Sequence, residues 1–546
     1  MRLYSQTNVP TEVSFAATMS YDDIFNDVEV DVIFTGPDGR QWTVPAFWAG
    51  DNVFRVRFAA PKPGVYAYRS ICTNSSDSGL HDATGELEAT PYSGKHHLYR
   101  HGHLRVAANS RTLEHVDGTP FFWMGDTWWM GLTTRLDWPH GFKQLAADRA
   151  AKGFNLVQIV AGPLPDFDAE TAAWHPQQAN EAGWSWEQGW TRINPGYYDL
   201  ADLRIAHLVE SGLTPCIVGM WGYYLSCMGV EKAKKHWRNL IARYGAYPVI
   251  WCVAGEVIMP TYSHHPNWGD EPERLREGWT EVTRYVRAVD PYSSPVSAHA
   301  GLGGESRDML TDESLIDLVM HQTGHSSYNS LKPSVDAINA SIARQPRMPV
   351  VNSEVCYEGI MGGSRQEVQR FLFWTSLTSG SAGHTYGAQG IWAMSSRDEP
   401  FDGTTTSWGD GYWQDVMHYA GSGQVALGRR FFERYHWPEF EPLTVPEVEA
   451  AGRLSSFATG IPGKIAVFYL AATCMEDIFW GVQGLAITVD PGSSYTAYFF
   501  NPRTGVEISV SSVNLDALGR WPVPAKPTME DWVLVLENEG TASPRC

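Results

Sequence analysis

Two carboxylates stand out because each follows a short apolar run that ends abruptly. Pro248-Val249-Ile250-Trp251-Cys252-Val253-Ala254 delivers Gly255-Glu256-Val257, and Pro349-Val350-Val351 delivers Asn352-Ser353-Glu354. A charged group at the end of a buried strand has no evident structural purpose, because burying it without a partner is unfavourable. Taken singly, each is explained as well by a salt bridge or a helix cap. As a pair facing one another they could flank a glycosidic bond. One would protonate the leaving oxygen while the other attacks or supports the anomeric carbon.

Other apolar runs end in groups suited to binding neutral hydroxyls. Phe121-Phe122-Trp123-Met124 leads to Asp126, Trp128 and Trp129. A carboxylate beside indole rings would hold vicinal hydroxyls against an aromatic platform. The bland alternative is that Trp128 and Trp129 are core. Gln158, Trp221, His299, Gln322 with His325, Tyr357, and His384 with Tyr386 occupy comparable positions. Glu358 competes with Glu354, or else binds a hydroxyl or a neighbouring Arg. Each His alone is more often structural than a metal ligand. No H-E-x-x-H or H-x-H element supports a metal centre, so no metal or other cofactor is expected.

The elements that must position these groups follow from hydropathy patterning. Between residues 105 and 437, short apolar runs alternate with helical segments such as Glu231–Tyr244, Glu271–Val289, Val335–Arg344 and Gln366–Ser379. The runs lie near Phe121–Met124, Leu156–Val160, Thr214–Gly219, Val249–Ala254, Val296–Ala298, Leu318–His321, Val350–Ser353 and Gly383–Tyr386. Eight β/α units predict an α/β fold, a (β/α)8 TIM barrel whose reactive groups stand where strands end. In such a barrel strands four and seven lie across the mouth from each other. An open doubly wound sheet is weakened by the lack of a G-x-G-x-x-G turn after the first strand. Period-two alternation before residue 95 predicts an immunoglobulin-like β-sandwich. Strand patterning after residue 440 predicts a small C-terminal β-domain. The divisions are therefore 1–95, 96–440 and 441–546.

Composition narrows the partners. The 546 residues carry a formal net charge of −20, which argues against nucleic acid or an anionic membrane and mildly against polyanionic substrates. The 23 Trp and 24 Tyr suit stacking on sugar rings as well as they suit large cores. Seven scattered cysteines, an odd number without metal-type spacing, read as free buried thiols in a reducing compartment. The start Met-Arg-Leu-Tyr-Ser-Gln-Thr-Asn has no apolar stretch behind its basic residue. A cytoplasmic protein acting on a small-molecule or oligosaccharide substrate is expected, as a monomer or a homo-oligomer.

The run Phe122-Trp123-Met124-Gly125-Asp126-Thr127-Trp128-Trp129, the segment Arg149–Gln158, Trp251 to Glu256, and Pro349 to Gly359 resemble the apiosidase-like glycoside hydrolases. The likeness covers nearly the whole chain: members have an N-terminal β-sandwich, a (β/α)8 barrel and a C-terminal β-domain of collagen-binding type. It implies a retaining hydrolase with Glu256 as acid/base and Glu354 as nucleophile. Two positions depart from related barrels. Gly255 stands where the wider clan has an Asn that bonds the sugar 2-hydroxyl, and Glu256 stands where apiosidase-like relatives often have Asp. Pentofuranosides other than apiosides and small pyranosides are therefore open as substrates. A non-catalytic sugar-binding or adhesion protein on a degenerate barrel is the alternative, and a metal-dependent hydrolase the weaker one.

Overall fold

The protein is described from a computed structural model, covering residues 2–167, 174–259, 271–443, 457–472, 486–490, 492–510 and 512–540. Eight parallel strands form one barrel sheet. They are β1 (Trp123–Trp128), β2 (Leu156–Val160), β3 (Thr214–Val218), β4 (Ile250–Cys252), β5 (Val296–Ser297), β6 (Val319–Gln322), β7 (Val350–Glu354) and β8 (Gly383–Tyr386). The ladder runs β5-β4-β3-β2-β1-β8-β7-β6. The seam between β5 and β6 closes without a regular ladder: Asp317 N donates to Val296 O (2.8 Å) and Ser297 Oγ to Leu318 O (2.8 Å). The buried strands are rich in β-branched and aromatic residues, as parallel strands covered on both faces require.

Among the described residues, seven helices of thirteen or more residues cover the barrel. They are α1 (His140–Lys152), α2 (Pro195–Glu210), α3 (Tyr224–Tyr244), α4 (Glu271–Val289), α5 (Leu331–Ala343), α6 (Gln366–Thr378) and α7 (Ala420–Phe432). The connection from β5 to β6 differs from the sequence expectation of a helix in every unit. It holds only the single turns Ser306–Asp308 and Glu313–Leu315. Its run Gly301-Leu302-Gly303-Gly304, with Gly303 at φ +77°, is too costly in backbone entropy to sustain a helix. The first barrel strand also begins and ends later than its apolar run suggests, which matters for Asp126 below.

The N-terminal strands form a five-stranded and a three-stranded sheet. Their inner faces meet at Phe34 and Phe58, stacked at 4.1 Å. Strand Val30–Thr35 alternates buried and half-buried positions, the pattern of a sheet with one covered face. This layer is tied to the barrel by Arg57 to Asp202 of α2 (2.6 Å) and by Arg238 of α3 to Asp31 (2.6 Å). At the other end, six C-terminal strands form one sheet, and Ala486–Thr488 pairs with Arg520–Pro522 in another. Arg370 of α6 anchors the larger sheet by a two-pronged ion pair with Asp531 (2.7 and 2.8 Å), both side chains being buried. No helix among the described residues is long and apolar enough to cross a membrane. Cys72, Cys216, Cys252 and Cys356 are buried free thiols, whereas Cys227 is exposed, contrary to the expectation of burial for all seven. Cys474 and Cys546 lie outside the described residues.

Candidate functional site

Side chains alternate across a strand, so parity decides which candidates reach the barrel mouth. In β1, Trp123 points inward, its Nε1 donating to Thr385 Oγ1 of β8 (2.8 Å). Asp126 and Trp128 therefore face outward, toward the helices, and Trp129 faces in. Trp128 packs edge-on against Phe142 of α1 at 5.6 Å. The Asp126 carboxylate is wholly buried and accepts from Arg149 Nε (2.5 Å), Trp128 Nε1 (2.8 Å) and Thr127 N (3.0 Å). Asp126 and Trp128 thus stand behind the mouth rather than in it. In β8 the same parity turns His384 and Tyr386 outward. The His384 ring meets Phe373 of α6 edge-on at 5.5 Å, and burial presses its pKa down to about 3. Tyr386 donates to Glu358 Oε2 (2.6 Å). The other oxygen of Glu358 accepts from Gly421 N (3.2 Å) at the start of α7, where a carboxylate suits the exposed N–H groups and the helix dipole. Gln158 lies inside the barrel, donating to Ser353 O (2.9 Å) and accepting from Thr385 Oγ1 (3.3 Å).

The remaining candidates converge. Glu256 follows β4 with φ +41°, a left-handed conformation that is strained for a Glu. The turn is held by Gly222 N to Gly255 O (2.7 Å), Gly255 N to Met220 O (3.0 Å) and Val257 N to His299 O (3.1 Å). Gly255 is sterically obligatory: a Cβ there would lie 2.1 Å from the Trp221 ring. That ring brings its Nε1 to Glu256 Oε2 at 3.3 Å.

Glu354 reaches the mouth through an irregularity. Val350 faces outward onto Val319 and Ile338 of α5, and strict alternation would send Asn352 and Glu354 the same way. The ladder with β6 instead skips Ser353, pairing His321 with Asn352 and Gln322 with Glu354. Such a bulge re-aims the side chain that follows it. Glu354 then meets His325 Nε2 (3.1 Å), His299 Nε2 (3.1 Å) and the hydroxyl of Tyr357, which donates to Oε1. Trp129 Nε1 donates to that hydroxyl in turn (3.0 Å). Trp129 packs edge-on against Trp221 (5.6 Å) and His299 (5.3 Å). Gly387 gives the Tyr357 ring its place, since a Cβ would fall 2.2 Å from it. Gln322 stands beside His325 (3.3 Å), and its buried amide oxygen has no protein partner among the described residues.

The two carboxyls are both buried, yet they sit in opposite electrostatic environments. Burial raises the pKa of Glu256, and the charge of Glu354 raises it further, against smaller opposing effects of His299, Gln322 and Trp221. Burial pushes Glu354 the same way, but His299 and His325 more than reverse it and hold that carboxyl well below its ordinary range. Sequence reasoning missed a third carboxyl, Asp166, on the loop after β2. Burial and the Glu256 charge push it up to about 8. Its signal was faint, because Asp166 lies six residues beyond the end of its strand, just after the run Gly162-Pro163-Leu164-Pro165. Among the described residues no group of His, Cys, Asp and Glu side chains could hold a metal ion.

Comparison with known proteins agrees with this architecture. The apiosidase-like catalytic domain matches residues 107–439, and a domain of unknown function, DUF5060, matches residues 8–73. A search of curated proteins gives no match. A glycoside hydrolase family 5 structure from Bacteroides vulgatus is similar at a TM-score of 0.64 and 20% identity, covering 81% of this chain and 94% of that one. Another Bacteroides vulgatus protein, assigned to the glycoside hydrolases, aligns over 98% of this chain and 100% of its own at a TM-score of 0.70 and 16% identity. The chain belongs to the apiosidase-like family, and its barrel has the fold of the glycoside hydrolases.

Proposed function

We propose that the protein is a retaining glycoside hydrolase, with Glu256 as general acid/base and Glu354 as nucleophile. The observation that carries this reading is the electrostatic division of the pair. Glu256 is held toward its protonated form and Glu354 toward its ionised form. Two carboxyls whose environments push their pKa values apart are suited to act as acid and as nucleophile. In the first step a Glu354 oxygen attacks the anomeric carbon. The bond to the leaving oxygen breaks as Glu256 transfers its proton to that oxygen, and a glycosyl ester on Glu354 remains. Water then attacks the anomeric carbon from the face the leaving group vacated. Glu256 takes the water's proton, and the ester bond breaks to restore Glu354. Tyr357 and His325 hold the attacking carboxylate in place, and the indoles of Trp129 and Trp221 offer flat apolar faces for a sugar ring. The substrate in this reading is a small glycoside, pentofuranosides included. The buried free thiols of Cys72, Cys216, Cys252 and Cys356 fit a reducing, cytoplasmic setting.

The test is substitution with a panel of 4-nitrophenyl glycosides. Glu354→Gln should abolish turnover. Glu256→Gln should slow glycosides with poor leaving groups far more than nitrophenyl ones, a loss of about 100-fold or more for the former. Proton NMR of the first product formed should show the anomeric configuration of the substrate. An inverted first product would refute the double displacement, and wild-type rates in Glu354→Gln would refute the assignment of the nucleophile.

A further inference from the structure

The loop after β2 brings Asp166 to the mouth, and two crossings of the chain hold it there. Thr404, on the loop after β8, donates its N–H to Asp166 O (2.9 Å) and its hydroxyl to Asp166 Oδ1 (3.2 Å). From the loop after β3, Tyr223 donates its hydroxyl to the carbonyls of Leu164 (3.3 Å) and Phe167 (3.2 Å), on either side of Asp166. Trp221 N donates to Pro163 O (3.0 Å), and the same Trp221 reaches Glu256 through its indole N–H. The segment bearing Asp166 and the residue bonded to Glu256 are therefore fixed to one another. Asp166 is 4% exposed and adopts φ +65°. A buried carboxyl in a strained conformation, bonded by a hydroxyl and raised by the nearby charges of other acids, is a poor way to stabilise a fold. Such a combination is characteristic of groups kept for a ligand.

We propose that Asp166 is a specificity-determining residue whose carboxyl hydrogen-bonds a hydroxyl of the sugar held between Glu256 and Glu354. The ionised Glu354 carboxylate, already contacted by His299 and His325, disfavours a uronate in the same place. This inference rests on the hydrolase reading above. At neutral pH burial keeps the Asp166 proton in place, so the group can donate as well as accept a hydrogen bond. A uronate carboxylate would enter a site whose ionised carboxylate, Glu354, repels it. The cations nearest that carboxylate, His299 and His325 when protonated, are already paired with it.

The experiment compares wild type, Asp166→Asn, Thr404→Val and Glu354→Gln on 4-nitrophenyl pentosides, hexosides and uronides, followed by the monodeoxy analogues of whichever glycoside wild type cleaves fastest. Asn tolerates left-handed backbone, so Asp166→Asn should keep the wild-type melting temperature. A site built to bond a hydroxyl discriminates strongly against the analogue lacking it. One monodeoxy analogue should therefore lose about 100-fold in kcat/KM with wild type, and only a few-fold with Asp166→Asn. Thr404→Val should fall between the two, and uronides should be cleaved at least about 100-fold more slowly than the matching hexosides. Equal deoxy penalties in wild type and Asp166→Asn, or uronides cleaved as fast as hexosides, would overturn the inference. If Glu354→Gln is inactive while Asp166→Asn keeps every wild-type preference, this inference alone fails. If Glu354→Gln is as active as wild type, or wild type cleaves no member of the panel, the hydrolase reading fails and takes the inference with it.

Discussion

His325→Phe tests the electrostatic division of the two carboxyls. The ring keeps roughly its shape, and the aromatic setting beside Tyr357 (4.7 Å) and Trp408 (5.0 Å) can accept it. The Nε2 contact to Glu354 at 3.1 Å is removed. A hydrogen bond to a charged group contributes about 1.5–3 kcal/mol, equivalent to about 1–2 pH units at 1.36 kcal/mol per unit. In the proposed mechanism Glu354 must be ionised to attack, and its pKa is depressed, so activity in wild type should be lost only as pH falls below the ordinary carboxylate range. In His325→Phe the acid limb of kcat/KM should move upward by about 1–2 pH units, because that limb reports the free enzyme's ionisation. Stability follows the same sign. A depressed carboxyl stabilises the fold above its unfolded pKa, and that contribution is lost as pH falls through the folded value. The melting temperature of His325→Phe should thus begin to fall at a higher pH than that of wild type. An acid limb and a melting profile that both stay in place would show that His325 does not hold Glu354 ionised.

Three further outcomes are expected. Glu354→Gln removes the charge that helps to raise the Glu256 pKa, so carbon-13 NMR of labelled Glu side chains should show Glu256 titrating at lower pH than in wild type. Gly255→Ala drives a methyl group into the Trp221 ring and should destabilise the fold by about 1–3 kcal/mol on chemical denaturation, with a large loss of kcat. Arg149→Met leaves Asp126 buried without its cation and should cost about 3–5 kcal/mol in the same assay. If Asp126 held substrate instead, Asp126→Asn would raise KM sharply, whereas the pairing found here predicts a change in stability with KM nearly unchanged.

The barrel was legible because parallel strands covered on both faces read as continuous apolar runs, and each of the eight runs contains or overlaps a strand. The fifth crossover was not legible as an exception, since its glycines weaken a helix without announcing what replaces it. The seam it leaves is closed by Ser297 and Ser306, whose hydroxyls bond Leu318 O (2.8 Å) and Met320 O (3.2 Å). Hydroxyls doing the work of a ladder have no hydropathy signature.

The site divides on a point of strand geometry. A one-residue change in register exchanges the two faces of a strand, so a strand end placed a few residues early misassigns every side chain beyond it. Reading the first strand as ending at Met124 put Asp126 on the rim. The strand in fact runs to Trp128, and parity sends Asp126 to Arg149 and leaves Trp129 for the mouth. The same rule removes His384 and Tyr386. It would have removed Glu354 as well, had Ser353 not bulged. The two glutamates were thus singled out through residue type and strand order, while the feature that aims one of them lies in backbone irregularity. Asp166 escaped for a related reason: its place depends on Thr404, more than two hundred residues away, and only a folded chain brings the two loops together.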